Sequence, residues 1–205
     1  MASLKKSPIF DDKRSFLLVT GASKGLGRSL AINLASKLGK KSFVLLLARN
    51  KEGLEETKTQ ILKKCPDLDL AVAVRALDLS QCSDGLFDKL LTDVIRDADV
   101  EPASFQQLMI VHNAAQLGDV SRKASEFTDA VDFQEYWNIN ITSPAILNNV
   151  FLRHFPPSEK QGHLCINITS ICALQPFKTW ALYCTGNSFS SVFALILLRP
   201  VKGWQ

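Results

Sequence analysis

The sequence predicts a doubly wound, Rossmann-like α/β domain built on a parallel sheet, on three observations. Apolar runs rich in β-branched and aromatic residues alternate with helical patterns along the chain. The runs are apolar on both faces, as strands covered by helices on both sides must be. A glycine-rich turn follows the first run and opens a helix, the arrangement that cradles a phosphate.

The strands are expected at Phe16–Thr20, Ser42–Ala48, Leu70–Leu77, Leu108–His112 and Leu164–Thr169. Helices are expected near Lys24–Leu38, Lys51–Lys64, Cys82–Asp97 and Asp132–His154. Between them, residues 99–105, 116–127 and 155–162 read as loops, the last carrying the Pro156-Pro157 turn signal. With 205 residues, 46% of them hydrophobic, the chain can bury one sizeable core, and no shift in composition marks a second domain.

Composition narrows the function classes. The formal charge is only +4 and the basic residues are dispersed, so no nucleic-acid partner is expected. The five cysteines lack CxxC spacing and read as reduced thiols, while His112, His154 and His163 are too scattered to hold a metal. The first residues lack the apolar core of a secretion signal and no run reaches the roughly 18 residues of a membrane span, so a cytoplasmic protein with no membrane partner is expected. Accordingly, the triplets starting at Asn140 and Asn167 are not read as glycosylation sites.

The chemistry gathers at strand C-termini, where open α/β sheets bind their ligands. After the first strand comes Thr20-Gly21-Ala22-Ser23-Lys24-Gly25-Leu26-Gly27-Arg28. Gly21, Gly25 and Gly27 let the backbone approach a pyrophosphate, with Ser23, Lys24 and Leu26 between them, and the following helix offers free N–H groups. The second strand ends in Arg49-Asn50, where a dinucleotide fold meets the adenosine ribose. An acid there would bind a free 2′-hydroxyl, whereas Arg49 suits a 2′-phosphate, so NADP is the expected cofactor. Lys24 and Arg28 are expected to add to the same positive pocket. The third strand finishes in Asp78-Leu79 and the fourth in His112-Asn113-Ala114-Ala115.

These motifs, with Asn140 and with Ser170 thirteen positions before Tyr183, resemble the short-chain dehydrogenase/reductases over most of residues 14–186. The longer stretches AQLGDVSRK, YWNINITS and NITSICALQPFKTWALYCTG are similar to the members that reduce a pterin side-chain carbonyl with NADPH. The resemblance implies that Ser170 hydrogen-bonds a substrate carbonyl, that Tyr183 donates a proton to it and that Asn140 supports a proton-relay water chain. It also implies that Asn113 and Tyr183 line the cofactor, that Asp78 and Leu79 meet its adenine, and that the helix over residues 132–154 and the one carrying Tyr183 form a homodimer interface. The substrate class is a small pterin or another carbonyl compound, and the alternative is a non-catalytic chain that binds NADPH or pairs with a full-length enzyme of the family.

Two departures shape the expectation of activity. Four residues after Tyr183, where the family places a lysine, stands Asn187. A cation within ~4–6 Å lowers a tyrosine pKa by about one to three units, so its loss predicts impaired turnover. Residues 187–205 then read as a divergent tail, with a helix completed over Val192–Leu198 and ended by Pro200. The family's remaining strands have no counterpart here, which leaves the Leu164–Thr169 strand with an open edge.

Overall fold

In the computed structural model, which describes residues 12–197, five parallel strands form one sheet in the order β3-β2-β1-β4-β5. They are β1 (Ser15–Thr20), β2 (Phe43–Ala48), β3 (Ala71–Ala76), β4 (Gln107–His112) and β5 (Gly162–Asn167). The helices are α1 (Gly25–Ala35), α2 (Lys51–Lys64), α3 (Asp84–Asp97), α4 (Ala130–Trp137), α5 (Ser143–His154) and α6 (Ala181–Leu197). The chain crosses from β1 to β4 after building outward to β3, so the reversal of strand order opens a crevice at the C-terminal ends of β1 and β4.

Alternation along each strand sorts the apolar side chains into two layers. Phe16, Leu18, Leu45 and Leu108 pack with Phe87 and Leu91 of α3 and with Leu147 and Phe151 of α5. Leu17, Val19, Val44 and Leu46 face the other way, onto Ala31 and Ala35 of α1 and Leu54 and Ile61 of α2. Each such buried side chain contributes about 1.5–3 kcal/mol relative to exposure, and together they fix the register of the central strands. Phe16 anchors the first layer, stacked on Phe43 at 5.2 Å and tilted against Phe155 at 4.6 Å between ring centres.

All residues of β1, β2 and β4 are buried, whereas all six of β5 are only partly buried. Among the described residues β5 pairs with β4 alone and forms one edge of the sheet, as expected.

Several elements differ from the sequence reading: β5 lies two residues earlier than expected, at Gly162–Asn167, and α1 ends three residues earlier, at Ala35. The helix expected over residues 132–154 begins two residues earlier and is interrupted at Asn138–Thr142 by a wider π turn that joins α4 to α5. Such turns recur at functional sites, and this one carries Asn140. The helix expected from Cys82 starts at Asp84, because the Ser83 hydroxyl caps it by accepting from Leu86 N. The expected helix over Val192–Leu198 is met by α6 as far as Leu197, and Leu198 and Pro200 lie outside the described residues. No helix among the described residues is long and apolar enough to cross a membrane.

Candidate active site

The glycine turn is held from two sides. Within the sheet, the Thr20 hydroxyl donates to Val111 O at 3.3 Å and accepts from the amides of Asn113 and Ala114, both at 3.0 Å. The Asn113 side chain closes the gap by donating to Thr20 O at 3.0 Å. Gly21 has a φ of +67° and Gly25 one of +56°, in the left-handed region where glycine alone is unstrained. At Gly27 the demand is steric, since a Cβ there would lie 2.2 Å from Gly21 O and 2.4 Å from Asn113 Nδ2.

From outside, α2 clamps the same turn. The Thr57 hydroxyl is buried and donates to Ala22 O at 2.8 Å. Arg28 forms a two-pronged pair with Glu56, both contacts at 2.8 Å, and also reaches Thr57 Oγ1 and Ser23 O. Arg28 lines the cleft with Lys24 and Arg49, and its guanidinium, engaged by Glu56 and backbone, also braces the turn. Neither Glu56 nor Thr57 carries a sequence signal for this role.

What remains open is the N-terminus of α1, which has no side-chain cap and no acidic residue in its first turn. Its free N–H groups and partial positive charge face a cleft of about 740 Å³. Gly21, Ser23, Lys24, Gly25, Leu26, Gly27, Arg49, Asn50, Asp78, Leu79 and Asn113 all line this cleft, so the structure brings eleven of the expected cofactor residues together. Arg49 and Lys24 are exposed there, and neither side chain is in an ion pair among the described residues. Asn50 is partly committed, because its side chain caps α2 by accepting from Gly53 N at 2.7 Å. The Asp78 carboxylate accepts from Ser80 N at 2.9 Å, which, with the positive charge of Arg49 nearby, holds its pKa below the ordinary carboxylate value. An anion-binding helix end, a turn that excludes a Cβ at Gly21 and Gly27, and the exposed cations Lys24 after β1 and Arg49 after β2 fit a dinucleotide bearing a 2′-phosphate.

The expected catalytic residues stand apart from that cleft's lining. Ser170 begins the short 3-10 turn Ile171–Ala173 after β5, where its hydroxyl accepts from Cys172 N at 3.3 Å. Tyr183, also expected at the cofactor, lies in the first turn of α6 and is half-buried, with Trp180 edge-on at 5.6 Å. Ser188 ties the two elements, donating to Ala173 O at 2.9 Å. The Asn140 side chain acts as a strap: it donates to Tyr136 O at 2.9 Å and accepts from Gln116 N at 3.0 Å, fixing the loop that leaves β4.

Asn187 folds back on its own helix. Its amide donates to Tyr183 O at 2.8 Å, and its oxygen accepts from the Thr169 hydroxyl at 3.3 Å. The position thus supplies a neutral hydrogen-bonding group and no charge. A residue that sequence reasoning missed is Tyr136, which is 2% exposed and wedged between Gly118 and Gly186; a Cβ on Gly186 would lie 2.5 Å from its hydroxyl. Burial is the main reason that the Tyr136 phenol is pushed well above its usual pKa, with Tyr183 adding to the shift. The uninterrupted helical pattern around Gly186 was the available signal, since an isolated glycine inside a helix has a packing reason.

Comparison with known proteins agrees with this geometry. The profile of the short chain dehydrogenase family matches residues 15–202. The chain is 38% identical over 184 residues to sepiapterin reductase of Bos taurus, covering 90% of this chain and 67% of that protein. Against sepiapterin reductase of Xenopus tropicalis it is 32% identical over 185 residues, covering 90% and 68%. The chain thus spans about two thirds of the length of these relatives. Among solved structures, a short chain dehydrogenase from Escherichia coli CFT073 complexed with NADPH superposes with a TM-score of 0.72 at 27% identity, over 92% of this chain and 71% of that one. The chain belongs to the short-chain dehydrogenase/reductases, a family of oxidoreductases.

Proposed function

We propose that this chain binds NADP and reduces a small carbonyl compound, with a pterin side-chain carbonyl as the substrate class. The observation that carries the reading is an apolar shelf beside Ser170 and Tyr183. Ile171 and Phe177 are exposed, and Trp180 bridges Phe177 at 5.9 Å and Tyr183 at 5.6 Å between ring centres. A flat heterocycle gains area and stacking on such a shelf, with its side-chain carbonyl beside the two hydroxyls. The likeness to sepiapterin reductases over 90% of the chain supports the same substrate class.

In this reading the uncapped α1 N-terminus takes the pyrophosphate, and Arg49 with Lys24 takes the 2′-phosphate. The cofactor, when bound, supplies hydride for the carbonyl carbon. The Ser170 oxygen already accepts a backbone bond, which leaves its O–H to donate to the carbonyl oxygen. Tyr183 then passes its phenolic proton to that oxygen as negative charge develops. Asn140 acts by holding the loop between the two groups of residues. Residue 187 supplies no cation beside the reacting carbonyl and Tyr183, so turnover is slow. Cytoplasmic location and self-association through α4, α5 and α6 belong to this reading and rest on the resemblance to the family.

Asn187 also favours a second reading, a protein that binds NADPH without turnover. Both are tested by following NADPH binding and NADPH consumption together, with sepiapterin and with a simple diketone, on chain shown to melt cooperatively. Slow sepiapterin-dependent consumption is expected. Binding without consumption selects the second reading, faster consumption with the diketone selects a general carbonyl reductase, and absence of binding overturns all three.

A further inference from the structure

Behind Asn140 and Asn187 lies a cavity of about 30 Å³ between the end of the sheet and α6. His112 and Asn167, the last residues of β4 and β5, are register partners and both line it. His112 is 7% exposed, and its Nε2 has no hydrogen-bond partner among the described residues; nor does Asn167 Nδ2. Just behind, Asn148 Nδ2 and Ser143 Oγ on α5 share that condition, at 2% and 0% exposure. A buried polar atom without a partner costs about 1–3 kcal/mol, and native structures keep few of them. Two of them, His112 Nε2 and Asn167 Nδ2, belong to residues that line the same cavity.

The chemistry of the lining defines the ligand. Asn148 of α5 lies beside the His112 ring, whose Nε2 is without a partner. Burial keeps the ring neutral, and in the tautomer with its proton on Nδ1 the Nε2 atom presents a lone pair to the cavity. Asn167 Nδ2 presents N–H, so the two call for one small molecule that can both donate and accept. Ser190, Asn187, Asn140 and Tyr136 complete the polar lining, and no carboxylate, lysine or arginine takes part in it, so an ion gains no counter-charge there. A water needs roughly 10–15 Å³ of such space and two to four polar partners, and both are present.

We propose that the ends of β4 and β5 hold a resident water, which donates to His112 Nε2, accepts from Asn167 Nδ2 and faces α6 at Asn187 and Ser190. The water links the sheet to the turn of α6 that follows Tyr183. It also supports the π turn from below, where Ser190 Oγ meets Asn140 O at 3.4 Å.

The test is side-chain NMR on the full chain at neutral pH, independent of any cofactor or turnover. The expected result is a neutral His112 ring protonated at Nδ1, with cross-relaxation to water at both the His112 ring and the Asn167 amide. His112→Phe fills the cavity and removes the acceptor, and the water signal at Asn167 should vanish. If that variant does not fold, Asn167→Leu is read at His112 instead, where the water signal should vanish and the Nε2 resonance should move. A ring protonated at Nε2, no water signal at either residue in the parent chain, or a water signal that persists in the variant, overturns the proposal.

Discussion

Around β1, every residue of three neighbouring strands is buried, and the glycine turn is clamped by Thr20 and Asn113 on one side and by Thr57 and Arg28 on the other. Around β5, all six strand residues are partly exposed, and the catalytic candidates ride on a short turn and a helix end joined by side-chain hydrogen bonds of Ser188, Thr169 and Cys184. The first region is over-determined by packing, so it forms its cleft whatever happens at the second. Cofactor binding and proton transfer therefore rest on separate foundations, and substitutions should separate them.

The largest effect is expected where the first region is tightest. Gly27→Val places a branched side chain where even a Cβ meets Gly21 O at 2.2 Å, and backbone cannot yield there as a flexible side chain can. Stability should fall by about 3 kcal/mol in urea unfolding, with NADPH affinity falling at least ~100-fold in a fluorescence titration. Unchanged affinity would break the assignment of the cleft.

At the seam between the regions stands His112, whose pKa burial lowers from 6.5 to about 4. The unfolded chain binds this proton below pH 6.5 while the folded chain resists it down to about pH 4. The stabilisation is thus complete above the unfolded pKa and is lost as pH falls through that window. The loss is on the order of 3 kcal/mol. Urea melts at a series of pH values should show a steeper decline for the parent chain than for His112→Asn.

In the second region, Asn187→Lys should raise turnover about tenfold or more, the equivalent of the one to three pKa units that a nearby cation contributes. The rise should appear in kcat, with little change in NADPH affinity. A gain in affinity without a gain in kcat would mean that the two regions are not separable at this residue. The smallest effect is at Thr179, a β-branched residue with a φ of +68° in the approach to α6. Thr179→Gly exchanges strain of ~1–2 kcal/mol for the chain entropy of glycine and should raise stability by about 0.5–1 kcal/mol.

The two regions were also unequally legible in the sequence. Strands apolar on both faces and a glycine turn between strand and helix are local patterns, so β1 to β5, the glycine turn and Arg49 follow from periodicity and spacing, whereas the cofactor roles of Asn113, Asp78 and Leu79 follow from the resemblance to the family. The bracing contact of Arg28 was not legible because its partner Glu56 lies 28 residues away on another helix. The π turn at Asn138–Thr142 has no local signature either, and depends on how α4 and α5 meet Gln116 and Ser190. Tyr136 and His112 owe their importance to burial and missing partners, which exist only once the chain has folded.

The central claim is that the region around β1 is a complete cofactor site selective for a 2′-phosphate, independent of the state of the second region. Equilibrium titration of the folded chain with NADPH and with NADH tests it most directly, alongside Arg49→Ala. Charge-assisted bonds to Arg49 are worth ~1.5–3 kcal/mol, so NADPH should bind at least about tenfold more tightly than NADH, and the variant should lose that preference. Equal affinity for the two, or binding of neither by a folded chain, would contradict the account.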